Sequence, residues 1–131
     1  MSEEKEIEVL EMNYEYDYDD DALFIYGVDE SEYMESLTVD ESFILDINEY
    51  KEPESFEVLN ISELLGVNYE LLMDPLSVSG SIEVEPELIM VNLLFVFKED
   101  GDKIEKTQLL QMPNYFELEE FRAKMNINII N

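Results

Sequence analysis

Apolar and polar residues alternate along much of this chain. From Ile7 to Tyr18, Met12, Tyr14, Tyr16 and Tyr18 share one side and Asn13, Glu15 and Asp17 the other. Successive side chains of a strand point to opposite faces, so this period, with its aromatic enrichment, predicts a strand. Asp19-Asp20-Asp21 interrupts it and Ala22–Val28 resumes as a second strand, giving a hairpin with an acidic tip. Further strands are expected around Tyr33–Val39, at Ser42–Ile47 and at Phe56–Leu59, with a turn over Asn48–Ser55 that contains Pro53.

Helical signals come next. Asn60–Val67 reads as a short helix with a polar residue to cap its start and Gly66 where a left-handed C-terminal residue is wanted. Asn68 caps a second helical turn, Tyr69–Met73, which Pro75 ends, and Ser77–Ser81 reads as a loop. Ile82–Glu85 and Leu88–Phe97 are expected strands, the second the most apolar segment of the chain and a central strand by that token. An Asp100-Gly101 pair suits a tight hairpin returning through Ile104–Met112. Pro113 stops that strand. Asn114 followed by Glu117 has capping-box form and predicts a C-terminal helix over Tyr115–Lys124, with Arg122 and Lys124 in its last turn. Asn126–Asn131 is left as a frayed tail or a final strand, and residues 1–6 are expected to fray. The fold class expected is α+β: mainly an antiparallel sheet of hairpins with short helices packed on one face, in a single acidic domain over residues 1–131.

Charge changes this picture most. The chain carries 34 acidic and 7 basic residues, a formal charge of −27, and Lys51 is the one basic residue between Glu6 and Phe97. High net charge favours disorder when apolar residues are scarce. Here 46% of the residues are hydrophobic, which argues for a folded core under an acidic coat. The chain has no Cys and no His, so disulfides, thiolate metal sites and the commonest general base are excluded. No apolar run reaches the length of a bilayer span, and Met-Ser-Glu-Glu-Lys-Glu lacks the apolar core of a signal peptide. A cytoplasmic protein is expected, with no membrane contact and no direct nucleic-acid contact, because both surfaces are anionic.

The stretch from Asn13 to Phe97 resembles the DUF2283 family of small prokaryotic proteins of unknown function. The resemblance lies in Tyr16-Asp17-Tyr18-Asp19-Asp20-Asp21-Ala22-Leu23-Phe24-Ile25, in Ile44-Leu45-Asp46-Ile47, and in Ser55-Phe56-Glu57-Val58-Leu59-Asn60-Ile61-Ser62. Ser55 and Ile61 stand where the family usually has Gly and Ala. The residues after Phe97, a hairpin return strand and the C-terminal helix, fall outside it. The resemblance implies an α+β fold and no established activity, cofactor or site residue.

Three candidate chemistries follow from the residues. Asp17, Asp19 and Asp21 have the spacing of the first three calcium-loop ligands, and hard cations want several carboxylate oxygens from a tight turn. Ala22 and Val28 stand where that loop requires Gly and Glu, so a solvated hairpin tip is the plainer reading and weak Ca²⁺ the alternative. Glu99-Asp100-Gly101-Asp102 is a poorer cation candidate. Paired carboxylates can hydrolyse glycosides, but nothing in the sequence stands beside them to orient a substrate, and no enzyme is expected. Tyr14, Tyr16, Tyr18, Tyr26 and Tyr33 gather among acids, as packing aromatics or as anchors for a basic partner. The leading expectation is a non-catalytic acidic protein that engages a basic protein surface through Glu11, Glu15, Asp17, Asp19, Asp20 and Asp21. Its sharpest form is a nucleic-acid mimic that inhibits a DNA- or RNA-binding complex by filling its groove. The oligomeric state is not legible in the sequence.

Overall fold

Strands dominate the computed structural model, which describes residues 7–29, 35–40 and 42–129. In chain order they are β1 (Glu8–Asp17), β2 (Ala22–Gly27), β3 (Glu35–Asp40), β4 (Phe43–Ile47) and β5 (Pro53–Leu59), then helices α1 (Ile61–Leu65) and α2 (Tyr69–Met73), then β6 (Ser77–Val84), β7 (Leu88–Glu99), β8 (Asp102–Pro113) and β9 (Phe121–Ile129). All nine form one sheet in the order β3-β4-β5-β2-β1-β9-β6-β7-β8, curled into a half barrel. The expected α+β class is therefore wrong. The two helices are five residues each, and the fold is a curled sheet rather than helices layered on one.

The largest correction is at the C-terminus, where the expected helix over Tyr115–Lys124 is replaced by a loop and β9. Phe121, Ala123, Met125, Ile127 and Ile129 alternate with Arg122, Lys124, Asn126 and Asn128, and the first set faces the core while the second faces out. Asn114 does not cap a helix. It is buried, its side chain donates to the carbonyls of Glu85 (2.9 Å) and Leu118 (3.0 Å), and its Oδ1 accepts from the Leu118 amide (2.9 Å). These bonds close a loop that sends the chain back as a strand. The expected loop at Ser77–Ser81 is likewise strand, with Val78 and Ile82 buried on the same side as Gly80. A Cβ at Gly80 would collide with the Asn92 carbonyl oxygen and stand 3.0 Å from Met125 Cε, so β6 lies unusually close to β7 and β9 there.

The sheet has two antiparallel halves, β3-β4-β5-β2-β1 and β9-β6-β7-β8, joined by a parallel β1–β9 pair. One apolar cluster fills the inner side and takes residues from both halves, among them Met12, Ile25, Phe56, Val91, Phe95 and Met125. Both helices add to it, through Ile61, Leu65 and Leu72. The two helices thus sit inside the curl, and the outer side of β4-β5-β2-β1 is left open among the described residues. The expected fraying of residues 1–6 and the start of the Tyr33–Val39 strand lie outside the described residues. No described helix is long and apolar enough to cross a membrane.

Candidate functional site

Alternation on β1 puts Glu11, Asn13, Glu15 and Asp17 on the outer side and Met12 and Tyr14 inside. Glu11 and Glu15 are exposed, and Glu11 accepts a hydrogen bond from Asn126 Nδ2 of β9 (3.0 Å). Asp17, half-buried, accepts from the Asp19 backbone amide (3.0 Å), which tightens the turn. Asp19 and Asp20 project from that turn into solvent.

Asp21 has a different role from its neighbours. Its carboxylate accepts from the Ser62 amide (3.1 and 3.2 Å), from Ser62 Oγ (2.7 Å) and from the Tyr16 hydroxyl (2.7 Å), while its carbonyl accepts from the Ile61 amide (3.2 Å). It therefore satisfies the free donors at the start of α1, the duty expected of Asn60. Asn60 is left-handed (φ 56°) and makes no side-chain cap. Burial, and then the Asp21 carboxylate it donates to, push the Tyr16 hydroxyl above its ordinary pKa. The Asp17–Asp21 tip is thus a hydrogen-bonded clasp. Among the described residues no three Asp, Glu, His or Cys side chains gather as a metal site would need, and this covers Glu99–Asp102 as well.

Tyr14 and Tyr16 share the inner side of β1, as the alternation predicts, and the other described tyrosines of the group lie elsewhere. Tyr14 is buried and donates to the Leu72 carbonyl (2.5 Å), and burial raises its pKa. Tyr18 is exposed in the turn, Tyr26 lies on the outer side of β2, and Tyr33 is outside the described residues.

The register assembles an outer face that the linear sequence conceals. One row across the sheet reads Glu15, Phe24, Glu57, Ile44, from β1, β2, β5 and β4. The row beside it reads Asn13, Tyr26, Ser55, Asp46. Between these rows lies a groove of about 390 Å³ lined by Glu15, Phe24, Tyr26, Asp46, Ser55 and Glu57. Ser55 donates to Asp46 Oδ2 (3.0 Å), and Ser36 of β3 donates to Oδ1 (2.5 Å), which fixes that carboxylate. Burial first, then the negative charges of Asp46 and Asp20, raise the Glu57 pKa above the usual carboxylate range. Asp46, Glu57, Phe24 and Tyr26 were missed as site residues. Their signal was the period-two pattern of β2, β4 and β5, which puts all four on the solvent side, but only strand order makes them neighbours.

Basic residues are segregated from this face. Among the described residues, none lies on β1 to β5: Lys51 is in the β4–β5 turn, and the rest are Lys98 on β7, Lys103 and Lys106 on β8, and Arg122 and Lys124 on β9. Residues 13–62 match the DUF2283 family, proteins of unknown function. The DUF2283 segment is shorter than the resemblance expected over 13–97. It runs from within β1 to Ser62 and so contains both ends of the Asp21–Ser62 contact and every groove residue named above. Glu11 and strands β6 to β9 lie outside it. No curated protein and no solved structure matches the chain.

Proposed function

We propose that this is a non-catalytic binding protein whose acidic surface engages a basic protein surface, most sharply as a mimic that keeps nucleic acid out of a basic groove. The observation that carries the reading is the charge segregation: five consecutive strands without a basic residue, presenting Glu11, Glu15, Asp46 and Glu57 on one open side. Adjacent strands stand about 4.8 Å apart and alternate residues of a strand about 7 Å apart. Carboxylates held on such a lattice form a fixed anionic array, the kind of surface that phosphate-binding proteins are built to meet. Water screens such charges to about 8 Å at 0.15 M salt, so only close, complementary contacts survive.

The test is capture of host proteins on the immobilised chain at about 0.15 M salt, with elution by a salt gradient and competition by DNA or RNA. A basic nucleic-acid-binding complex that is displaced by nucleic acid, and no longer captured after Glu11, Glu15, Asp19 and Asp20 are all changed to Lys, supports the proposal. Asp17 and Asp21 are spared because they hold the turn and α1. Capture with unchanged salt dependence by that variant overturns it.

A further inference from the structure

The open side of β4-β5-β2-β1 is more than a charged surface. Phe24 lies directly between Glu15 and Glu57 in one row, and Tyr26 lies beside it in the next, near Ser55 and Asp46. Large aromatics on a solvent-facing row are a packing surface, and among the described residues no element packs on it, since both helices add their apolar residues to the inner cluster. The partner that fits must offer a flat group to the rings and positive charge to the carboxylates around them. We infer that the groove between Phe24 and Tyr26 docks an arginine side chain of the basic partner, with its guanidinium over Phe24 and its N–H groups directed to Glu15 and Glu57. This rests on the binding function proposed above and names the chemistry of its contact.

The geometry suits that group. Strand spacing sets the backbones of Glu15 and Glu57 about 10 Å apart with Phe24 midway, so a cation over the ring lies within reach of both carboxylates. A guanidinium is planar, stacks on aromatic faces and presents several donors in a fixed fork, whereas an ammonium is a compact, strongly hydrated point charge. Ser36 and Ser55 already hold Asp46 from two sides, so it contributes charge from a fixed position. The groove's volume, about 390 Å³, accommodates one long side chain.

The experiment measures binding of a short arginine-rich peptide, with its lysine and citrulline counterparts, to the full chain at about 0.15 M salt by fluorescence anisotropy. The expected order is arginine, then lysine several-fold weaker, then citrulline without binding. Phe24→Leu and Glu57→Gln should each weaken the arginine peptide about fivefold, as loss of one cation–π or charged contact implies. Glu63→Gln on α1 removes the same unit of charge outside the groove and should change binding less than twofold. Glu57→Gln is nearly isosteric at a partly exposed site, so it keeps the test readable if Phe24→Leu folds poorly. If groove variants and Glu63→Gln behave alike, or arginine and lysine peptides bind equally, the groove is overturned while the acidic-surface reading stands. If neither basic peptide binds the unaltered chain, both fall.

Discussion

The carboxylate of Asp21 accepts a 2.7 Å hydrogen bond from the hydroxyl of Ser62, 41 residues further along the chain. Through it the acidic tip of the first hairpin becomes the N-terminal cap of α1. Three donors meet that carboxylate, from Tyr16, the Ser62 amide and the Ser62 hydroxyl. Asp21→Ala should therefore destabilise the protein by about 1–2 kcal/mol through the lost cap. Holding Ala at the left-handed φ of 50° adds about 1 kcal/mol more. Asp21→Asn tolerates that conformation and should lose less. A urea titration would read both as a lower midpoint at constant slope. Loss of partner binding without loss of stability would return Asp21 to the binding surface.

How much of this was legible follows from which signals are local. Short apolar runs placed β2, β4 and β7. Alternation placed β1 and the outward direction of Glu11 and Glu15, because a strand's two faces can be read from neighbouring residues. The same alternation was present in Phe121–Ile129, where Asn114 and Glu117 imitated a capping box and drew the reading toward a helix. Capping boxes are short and Asn serves loops as well as helices, so the longer periodic pattern deserved the greater weight. Gly80 and its flanking serines looked like a loop because composition does not report close approach of neighbouring strands. The groove was out of reach for another reason. Glu15, Phe24 and Glu57 are adjacent only through strand order, which places β5 beside β2 rather than beside a partner β6.

Tyr14 gives a second stability prediction. Its ring is buried in the inner apolar cluster, and its hydroxyl donates to the Leu72 carbonyl of α2. Tyr14→Phe keeps the ring and strands a buried carbonyl, at a cost of about 1–2 kcal/mol. The pKa of this hydroxyl is raised by burial and by Tyr16, so the folded state favours the protonated form. That contribution is complete below the unfolded value of about 10 and is lost as pH rises through the folded one. The wild type should lose more stability than Tyr14→Phe when urea titrations at neutral pH are compared with strongly alkaline ones.

Gly80 and Gly66 separate two reasons for a glycine. At Gly66, φ is +69° and a Cβ would meet nothing within 4 Å, so Gly66→Ala should cost only the left-handed strain, about 1 kcal/mol. At Gly80 a Cβ would drive into the Asn92 carbonyl oxygen and crowd Met125. Neither backbone can retreat without breaking the β6 ladders, so Gly80→Ala should cost about 3 kcal/mol or more. Thermal melts of the two variants should rank them in that order, and equal melting temperatures would mean that β6 shifts freely.

Glu57 supplies the prediction with the clearest sign. Its pKa is raised by burial first and then by Asp46 and Asp20, so the folded protein holds the proton more tightly than the unfolded chain does. A raised carboxyl stabilises the fold when protonated, an effect complete below the unfolded pKa of about 4.3 and lost as pH climbs through the folded value. At neutral pH the charge opposes folding. Glu57→Gln removes it and should raise the melting temperature at pH 7, with the advantage shrinking as pH falls toward 4. General relief of self-repulsion by acid acts on both proteins, so the difference between them isolates Glu57. The same substitution is expected to weaken an arginine-bearing partner. A variant that gains stability while losing affinity would identify Glu57 as a charge held at a cost to the fold for the sake of binding. A variant less stable at pH 7 would mean that the Glu57 carboxylate has a favourable partner in the folded protein.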